Sequence, residues 1–384
     1  MERSEPPTLD IPLSLSPPLS LSLFLLSLDR HKHTHTHTHT HTHTHSQMSG
    51  GRVGFCLSDK KRKRMNLDAF AVFCEGRGVE VVQIDLAQPL AHQGPFDIIV
   101  HKLSDVIVEA EQDSQSQKLL DNFQSYASAH PSTVLLDPLP AMTRLLDRFA
   151  SYQIMSELRQ SLRDWRICSP PYLEIHDVSD LPSIQQAMRT QGVSFPLICK
   201  TRVAHGSLSH EMSLVFSGGG LADIRPPCVL QSFVNHGAVL HKVFVVGDRH
   251  FCVERPSLKN FPSGPCDRKT IFFNSHLVSK PDSNSDLTAL DERTACRPPP
   301  SSEAVAALVG ELRVQLGMAL FGVDLIVSIH THTPIVIDIN IFPGYEGVPQ
   351  FFSALLSHIE SVLDQRQAKD SPRSAQTGSP SSGP

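Results

Sequence analysis

The sequence predicts a mixed α/β and α+β protein, and three patterns support this prediction. From Arg52 onward, apolar strand-like runs alternate with helical segments, which is typical of a small parallel α/β domain. A second unit begins near Ser169, where strand-like runs are joined by turns. The segment Phe321–Gly347 places two β-branched apolar runs around a short polar loop, which predicts an antiparallel hairpin centred near Thr331.

Length and composition limit the classes of function. The 384 residues allow two or three domains, and a hydrophobic content of 40% is enough for a core. The net charge of −5 gives no reason to expect a nucleic-acid partner, so an anionic substrate needs a local basic site. No apolar run is long enough to span a membrane. The eight scattered cysteines favour reduced, buried thiols in the cytoplasm, with Cys56, Cys199 and Cys252 inside apolar runs.

Residues 1–47 are expected to be disordered. They pass from Pro/Leu/Ser-rich sequence into a His-Thr repeat. Pro17 and Pro18 interrupt the leucine-rich stretch, which argues against a signal peptide. The repeat is either upstream sequence, with Met48 as the more natural start, or an opportunistic site for Zn²⁺, Ni²⁺ or Cu²⁺.

The elements of the first domain follow in order from Arg52. A first strand leads into a basic turn at Lys60–Arg64, and a helix ending at a glycine follows. Two more strands, a helix and a fourth strand complete the alternation. The remaining predictions are the strands VEVVQIDLA and FDIIVHKLSD, a helix at 114–130, the strand TVLLDPLP and a long helix at 141–160.

The second unit is predicted to contain strands, one further hairpin and two helices. Gly247-Asp248 supplies the hairpin turn, and a serine cap and a final glycine bound the helix at 301–317. The last helix is followed by a Ser/Pro/Gly-rich tail, residues 368–384, which is expected to be disordered. The predicted strands of this second unit are FPLICKTR (195–202), the end of AHGSLSHEMSLVF, and PPCVLQSFVNHG.

The hairpin contains the clearest chemical signal. Asp338 and Asn340 alternate onto one face, and Asp324 is expected to face Asp338 across the ladder. Like charges that face each other in an apolar sheet are destabilising, and a hard divalent cation removes that problem. Oxygen-only ligands suit Mg²⁺ together with phosphate oxygens. The alternative is two unrelated acidic residues, one of them protonated or at a strand end.

Phosphate binding has to come from side chains, because no Walker-A loop, dinucleotide-binding glycine motif or protein-kinase motif occurs. Lys200 ends a buried strand and is expected to contact nucleotide phosphates, the alternative being a lysine that extends to the surface. The run Lys60–Arg64 follows the first strand, where α/β sheets bind ligands. It is otherwise a solvated charge run or a nuclear-localisation signal.

Several specific motifs occur together in this chain: RVGFCLSDKK, FDIIVHKLSD, LLDPLPA, SPPYLE, FPLICKTRVAHGS, HKVFVVG, RPSLKNF and VIDIN-x-FPGYEG. Together they resemble the inositol-tetrakisphosphate 1-kinase family, also called the inositol 1,3,4-trisphosphate 5/6-kinase family. The resemblance runs from about Arg52 to Gln365. It implies an ATP-grasp fold, in which an N-terminal α/β domain (48–147) precedes a central domain (148–230) and a C-terminal domain (231–367) that clasp ATP between antiparallel sheets.

The same resemblance implies roles for individual residues. Lys200, Asp338, Asn340 and His210 would be catalytic, and Asp324, Asp338 and Asn340 would hold two Mg²⁺ ions. Lys61, His210, Lys242, Asn340, Arg255 and Gly344 would contact the acceptor, with His205 a further contact. The ATP site would comprise Arg148, Lys200, Ser257, Ser275, Ser279 and an adenine-binding hinge of Gln231, Ser232, Phe233, Val234, Asn235, His236, Gly237, Ala238, Val239, Leu240, His241 and Lys242.

The implied activity is transfer of the γ-phosphoryl group of ATP to a ring hydroxyl of an inositol polyphosphate. The acceptors would be Ins(3,4,5,6)P4 at position 1 and Ins(1,3,4)P3 at positions 5 and 6, with phosphate exchange as a further activity, in a monomer. Two other classes compete with this interpretation. A carboxylate–amine ligase of the same fold would have less use for converging basic side chains, and a non-enzymatic module would be a His-tract metal binder or an inactive inositol phosphate sensor.

Overall fold

A computed structural model describes residues 51–289 and 298–370. The expected disorder of residues 1–47 lies outside the described residues, as does that of residues 371–384. The start of the predicted disordered tail at residue 368 is wrong, because the last helix continues to Asp370.

The first part of the chain forms a parallel sheet. Its four strands are ordered β2-β1-β3-β4, and every neighbouring pair is parallel, which confirms the predicted strand–helix alternation. The elements are β1 (Arg52–Cys56), α1 (Asp59–Met65), α2 (Leu67–Glu75), β2 (Glu80–Gln83), β3 (Ile98–His101), α3 (Ser104–Ala110), α4 (Ser114–Ala129), β4 (Val134–Leu136), α5 (Leu139–Leu146) and α6 (Arg148–Ser161).

Two local predictions in this region are wrong. The basic segment at Lys60–Arg64 is helical rather than a turn, because Asp59 pairs with Arg62 one turn later and Asn66 ends the helix in the left-handed region. The predicted long helix at 141–160 is two helices. Asp147 between them has extended backbone, and its carboxylate caps α6 by accepting from the Phe149 amide.

The rest of the described chain contains antiparallel strands and four further helices. The predicted cap and end of the helix at 301–317 are confirmed, with Ser301 as the cap and Gly317 in the left-handed region. The elements are β5 (Tyr172–Ile175), α7 (Leu181–Gln191), β6 (Leu197–Thr201), β7 (Glu211–Val215), β8 (Cys228–Ser232), β9 (Val239–Val246), β10 (Arg249–Pro256), β11 (Ile271–Asn274), α8 (Ser275–Val278), α9 (Ser302–Leu316), β12 (Leu320–Val327), β13 (Pro334–Ile341) and α10 (Phe351–Asp370).

These strands form two antiparallel sheets between which the chain passes repeatedly. One has the order β11-β7-β6-β8-β5 and the other the order β10-β9-β12-β13. Strands β9 and β10 form the predicted hairpin around Gly247-Asp248. Strand β11 comes after the expected boundary at 230/231, yet it pairs with β7 in the five-stranded sheet. A single boundary at that point therefore does not separate the two sheets.

The hydrophobic core is shared unequally among the three sheets. One large cluster joins the parallel sheet to the four-stranded antiparallel sheet, with Phe55 and Phe321 among its fully buried members. The five-stranded sheet packs mostly into two smaller clusters, one around Leu197 and one around Leu214. The prediction that Cys56 and Cys199 are buried is confirmed, whereas Cys252 is exposed because it lies on the edge strand β10. In residues 51–289 and 298–370, no helix is both long and apolar enough to cross a bilayer.

Candidate active site

A cavity of about 630 Å³ lies where the three sheets meet. Its lining contains nine lysine or arginine residues against four acidic ones, although the whole chain has a net charge of −5. The cavity is therefore a local site for anions. It brings together most of the residues singled out from the sequence: Lys61, Arg148, Lys200, His205, His210, Gln231, Phe233, Val234, His236, Leu240, Lys242, Arg255, Ser257, Ser275, Ser279, Asp324, Asp338, Asn340 and Gly344.

The predicted acidic hairpin is confirmed in register. Asp324 of β12 lies opposite Asp338 of β13, and Asn340 lies opposite Gly322. A bulge follows, since Leu325 pairs with Val336 and leaves Ile337 as the extra residue. The two carboxylates and the amide therefore lie on neighbouring strands at one wall of the cavity.

Asp324 has a cationic partner from a third strand. Its carboxylate oxygen lies 3.2 Å from the Lys242 ammonium group, and the two residues are paired between β12 and β9. Burial raises the pKa of Asp324, the nearby Asp338 raises it further, and Lys242 opposes this rise. Two carboxylates and an amide are a suitable donor set for Mg²⁺. A divalent ion at these oxygens would replace Lys242 as the neutralising charge.

Lys200 is a buried cation at the back of the cavity. Only 4% of the residue is exposed, and its ammonium group donates to the Ile337 carbonyl at 2.8 Å. The bulge at Ile337 provides this carbonyl, since the residue has no partner in the ladder. Burial lowers the pKa of Lys200 to about 8, while Asp338 acts in the opposite direction.

Arg148 begins helix α6 directly after the Asp147 cap. Its guanidinium donates to the backbone carbonyls of Thr201 at 2.7 Å and Ser209 at 3.0 Å. Its Nε is buried and has no hydrogen-bond partner within the described residues. The cap, through its ion pair with Arg202 at 2.7 Å, ties the start of the helix to the end of β6.

His210 is a neutral side chain at neutral pH. Burial lowers its pKa to about 4, and the neighbouring His276, whose ring lies 5.5 Å away, adds to this effect. His205 is placed differently, because its Nε2 pairs with Asp105 of α3 at 2.5 Å. This pair joins the parallel sheet's helix to the loop before β7.

Two lysines of the first domain, one on helix α1 and one directly after β3, approach the turn after β13. Lys61 donates to the Pro343 carbonyl, and its ammonium group lies 3.8 Å from the centre of the Phe342 ring. Lys102 donates to the Phe342 carbonyl at 3.2 Å. Burial lowers the pKa of both, that of Lys102 to about 8. Neither forms an ion pair within the described residues, so both ammonium groups are available to a phosphate.

Sequence reasoning did not single out Lys102, Lys60 or Arg64 individually, although all three line the cavity. Lys102 was detectable, since it directly follows β3 and the carboxyl ends of parallel strands are where such sheets bind ligands. The position of Arg64 could not be predicted individually, because its ion pair with Glu346 at 2.9 Å joins residues that are far apart in sequence.

The end of the cavity near the hinge is mostly apolar. Ile198, Met212, Phe233, Leu240 and Ile326 line it. In the predicted hinge, the lining contains Gln231, Phe233, Val234, His236, Leu240 and Lys242. The other six residues of the predicted hinge are outside the lining, and their part in nucleotide binding stays a prediction: Ser232, Asn235, Gly237, Ala238, Val239 and His241.

The six hinge residues outside the cavity lining form hydrogen bonds or strand pairs with other parts of the fold. Ser232 accepts from the Ser194 amide, and Asn235 exchanges hydrogen bonds with the backbone of Phe261. The Gly237 amide donates to the Asn260 side chain, and the Ala238 carbonyl accepts from the Ser257 amide. Val239 and His241 face Pro256 and Glu254 in the ladder with β10.

The three predicted serines lie around the same end. Ser257 donates its hydroxyl to His236 Nε2 at 2.7 Å, because the other ring nitrogen of His236 donates to the Val234 carbonyl. Ser279 donates to the Ser275 carbonyl at 2.9 Å. Arg255 donates to the Glu346 carbonyl at 2.7 Å, which brings it close to the turn that contains Gly344.

Comparison with known protein families identifies two matching regions. Residues 52–142 match the inositol 1,3,4-trisphosphate 5/6-kinase pre-ATP-grasp domain, and residues 161–361 match the ATP-grasp domain of the same family. A curated inositol-tetrakisphosphate 1-kinase from Xenopus laevis is 51% identical over 86% of this chain and 84% of its own length. Inositol-tetrakisphosphate 1-kinase 3 from Oryza sativa subsp. indica is 37% identical over 83% and 85% of the two chains.

Solved structures share the fold at low sequence identity. A D-cycloserine synthetase aligns with a TM-score of 0.52 at 12% identity, covering 82% of this chain and all of the other. D-alanine–D-alanine ligase from Bacillus anthracis aligns with a TM-score of 0.51 at 12% identity, covering 84% and 100%. At this identity the likeness concerns the fold alone, and it agrees with the ATP-grasp architecture expected from the sequence.

Proposed function

The chain belongs to the inositol 1,3,4-trisphosphate 5/6-kinase family, and we propose that it transfers the γ-phosphoryl group of ATP to a ring hydroxyl of an inositol polyphosphate. One observation carries the proposal. A single cavity joins an oxygen-donor pair, Asp324 and Asp338, to an excess of basic side chains and an apolar end. We further propose Ins(3,4,5,6)P4 and Ins(1,3,4)P3 as acceptors, with phosphate exchange as an additional activity. A cytoplasmic monomer stays a prediction.

The nucleotide would lie between the two antiparallel sheets. The apolar side chains near the hinge suit a purine base, and Phe233 and Leu240 are the central members of that surface. Lys200 and Arg148 line the cavity where the phosphates would lie. These cations would offset the charge that develops on the leaving diphosphate.

The metal site would consist of Asp324, Asp338 and Asn340, and we propose that it holds two Mg²⁺ ions. These two carboxylates and the amide would hold the ions, which would supply positive charge against the charge of the triphosphate during transfer. Lys242 would then be released from Asp324 and could bind an acceptor phosphate. This exchange would account for the ion pair between Lys242, expected to contact the acceptor, and Asp324, a proposed metal ligand.

The acceptor would occupy the end of the cavity lined by the parallel sheet. Each of its phosphates brings about −1.5 to −2 charges near neutral pH. Lys61 is buried and Lys102 is half-buried, and neither has a carboxylate partner within the described residues. Both would bind these phosphates together with Lys242. His210 is neutral by virtue of its lowered pKa, so it can accept a hydrogen bond or a proton from the acceptor hydroxyl.

A direct assay tests the proposal. The protein is incubated with Mg-ATP and a panel of inositol tris- and tetrakisphosphates, and the products are separated by chromatography. We expect phosphorylated inositol product in equal amount to ADP. A carboxylate–amine ligase would give no such product with any member of the panel, and that result would overturn the proposal.

Asp338→Asn tests the metal site within this reaction. The change removes a charge but keeps the shape of the side chain, so we expect the fold to be retained. Loss of residues that merely orient metal ligands costs about 10- to 100-fold, so loss of a ligand should reduce turnover more than about 100-fold. Asp267→Ala is the matched control, because Asp267 is exposed and outside the cavity lining. Normal turnover in Asp338→Asn would contradict the assignment.

A further inference from the structure

We propose that Tyr152 is a positioning residue for nucleotide recognition, which fixes the side-chain amide of Gln231 so that its NH2 group donates to a ring nitrogen of the purine base. The inference rests on the proposed function, since it requires a nucleotide in the cavity. It adds a side-chain contact to the backbone contacts expected of the hinge.

The first step is the contact between the two residues. Tyr152, on helix α6, is fully buried, and its hydroxyl donates to Gln231 Oε1. Burial raises the pKa of Tyr152 far above its ordinary value, and the nearby Asp338 raises it further. The hydroxyl therefore keeps its proton and acts as a donor, which is the role the contact needs.

The second step is the orientation of the amide. Because Oε1 of Gln231 accepts from Tyr152, the amide nitrogen has to point elsewhere. Gln231 is only 4% exposed, lines the cavity, and pairs with the apolar Ile198 across the ladder. Within the described residues no hydrogen bond uses its Nε2, and that atom is not among the buried polar atoms without a partner. It is therefore a donor open to the cavity at the apolar end.

Tyr152 has a second contact, which concerns the phosphates rather than the base. The Tyr152 ring also lies 5.4 Å from the Lys200 ammonium group. Lys200, however, has its own acceptor in the Ile337 carbonyl. Removing only the Tyr152 hydroxyl leaves the ring beneath Lys200 in place, so the two effects can be tested independently.

The experiment compares Tyr152→Phe, Gln231→Met and the double variant in the full chain. The dissociation constants of Mg-ATP and of magnesium tripolyphosphate, which lacks a base, are measured by competition, and the steady-state constants are measured with the acceptor. Tyr172→Phe is the matched control, because its ring lies 4.9 Å from Tyr152 and its hydroxyl lies next to Ser156.

We expect Tyr152→Phe and Gln231→Met each to weaken ATP binding about tenfold, as for one lost hydrogen bond. Tripolyphosphate binding should stay unchanged, because that ligand has no base to accept from Gln231 Nε2. In the double variant the loss should be no larger than in Gln231→Met alone, since Tyr152 acts through that residue. Tyr172→Phe should bind both ligands as the unaltered protein does.

Three results would overturn the inference. Equal weakening of ATP and tripolyphosphate by Tyr152→Phe would mean that the residue acts through Lys200. Additive losses in the double variant would mean that it does not act through Gln231. If Tyr152→Phe did not fold, an unchanged affinity for ATP in Gln231→Met would still refute it. Absence of any ATP-dependent turnover in the unaltered protein would instead refute the proposed function, so the two failures are distinguishable.

Discussion

Lys200, which we propose contacts the nucleotide phosphates, is a buried charge that opposes stability. It is buried with a pKa of about 8, below the 10.5 of an exposed lysine. The unfolded chain therefore binds more protons between pH 8 and 10.5, so this lysine destabilises the ligand-free fold below pH 8 and does so less as the pH rises. Such a residue is retained because of its charge rather than its packing.

Lys200→Met should consequently stabilise the ligand-free protein while abolishing its activity. We expect a gain of about 3 kcal/mol at pH 7, which follows from the pKa difference, and a smaller gain near pH 10. Thermal unfolding at both pH values measures it. Lys118→Met on the exposed face of α4 is the control, and a Lys200→Met protein less stable than the control at pH 7 would contradict the assignment.

Lys242 should affect the metal and the acceptor in opposite directions. Because it neutralises Asp324, Lys242→Met removes a competitor of Mg²⁺, and we expect the ligand-free protein to bind Mg²⁺ about tenfold more tightly. The KM of the acceptor should rise by a similar factor, since a phosphate partner is lost. Calorimetric titration with Mg²⁺ and steady-state kinetics measure the two effects.

Lys269→Met, at an exposed position outside the cavity lining, is the control for Lys242→Met. Weaker Mg²⁺ binding in Lys242→Met would mean that the ion pair supports the metal site instead of competing with the ion.

At the residue scale, alternation along a strand was sufficient to predict the facing of Asp324 and Asp338. Lys102 and the Tyr152–Gln231 contact were not predicted. Lys102 itself was detectable from its position directly after β3. Its contact with Phe342 and the Tyr152–Gln231 contact join residues 240 and 79 positions apart, and no local pattern records such contacts.

The bulge in the β12–β13 hairpin is the element on which the site's geometry depends. Val336 and Ile339 lie in the large core cluster, whereas Ile335 and Ile337 pack on a separate small cluster. Two consecutive residues, Ile337 and Asp338, therefore lie on the cavity side. The local sequence does not show this, because an uninterrupted apolar run fits either face of a strand.

Removing Ile337 should be tolerated, whereas removing Ile339 should not. Deletion of Ile337 takes out the extra residue and leaves Val336 and Ile339 on the core face. We expect the unfolding free energy to remain within about 2 kcal/mol of normal, while ATP affinity falls because Lys200 loses its carbonyl acceptor. Deletion of Ile339 forces a polar residue onto the core face, so most of the soluble protein should be lost.

Chemical denaturation and soluble yield measure both deletions. If deletion of Ile337 were as damaging as that of Ile339, the extra residue would be needed for the fold and not only for the site.

Helix α1 shows the limit of local patterns at this scale. A run of basic residues after a strand was interpreted as a turn, yet it is helical, with the acidic Asp59 in its first turn paired with Arg62. The helix matters for the site because it holds Lys60, Lys61 and Arg64 at the cavity.

The cavity as a whole lies within the part of the chain that follows the His-Thr repeat. Its lining extends from Ser58 to Glu346. A protein that begins at Met48 should therefore have the same kcat and KM as the full chain, within about a factor of two. Kinetics with and without added Ni²⁺ compare the two proteins. A large loss on truncation would give the repeat a role in the mechanism.

The family resemblance predicted the three-sheet architecture, but not the path of the chain between the sheets. Strand β11 returns to the five-stranded sheet after β9 and β10 have contributed to the other one. Tertiary packing determines which sheet β11 joins, because each strand alone fits the edge of either sheet.

The division of the core has a consequence for how the reaction is aligned. Lys61, Lys102, Lys242 and the acidic hairpin belong to one continuously packed body, whereas Lys200 and His210 sit on a sheet packed mostly on its own. The phosphoryl group would be transferred from ATP beside Lys200 to an acceptor held by the lysines of the other body. The distance between donor and acceptor therefore depends on the contacts that join the two bodies, such as Lys200 to Ile337, Arg148 to Thr201 and His205 to Asp105. A small shift in these contacts would change the rate while every reacting group stays the same.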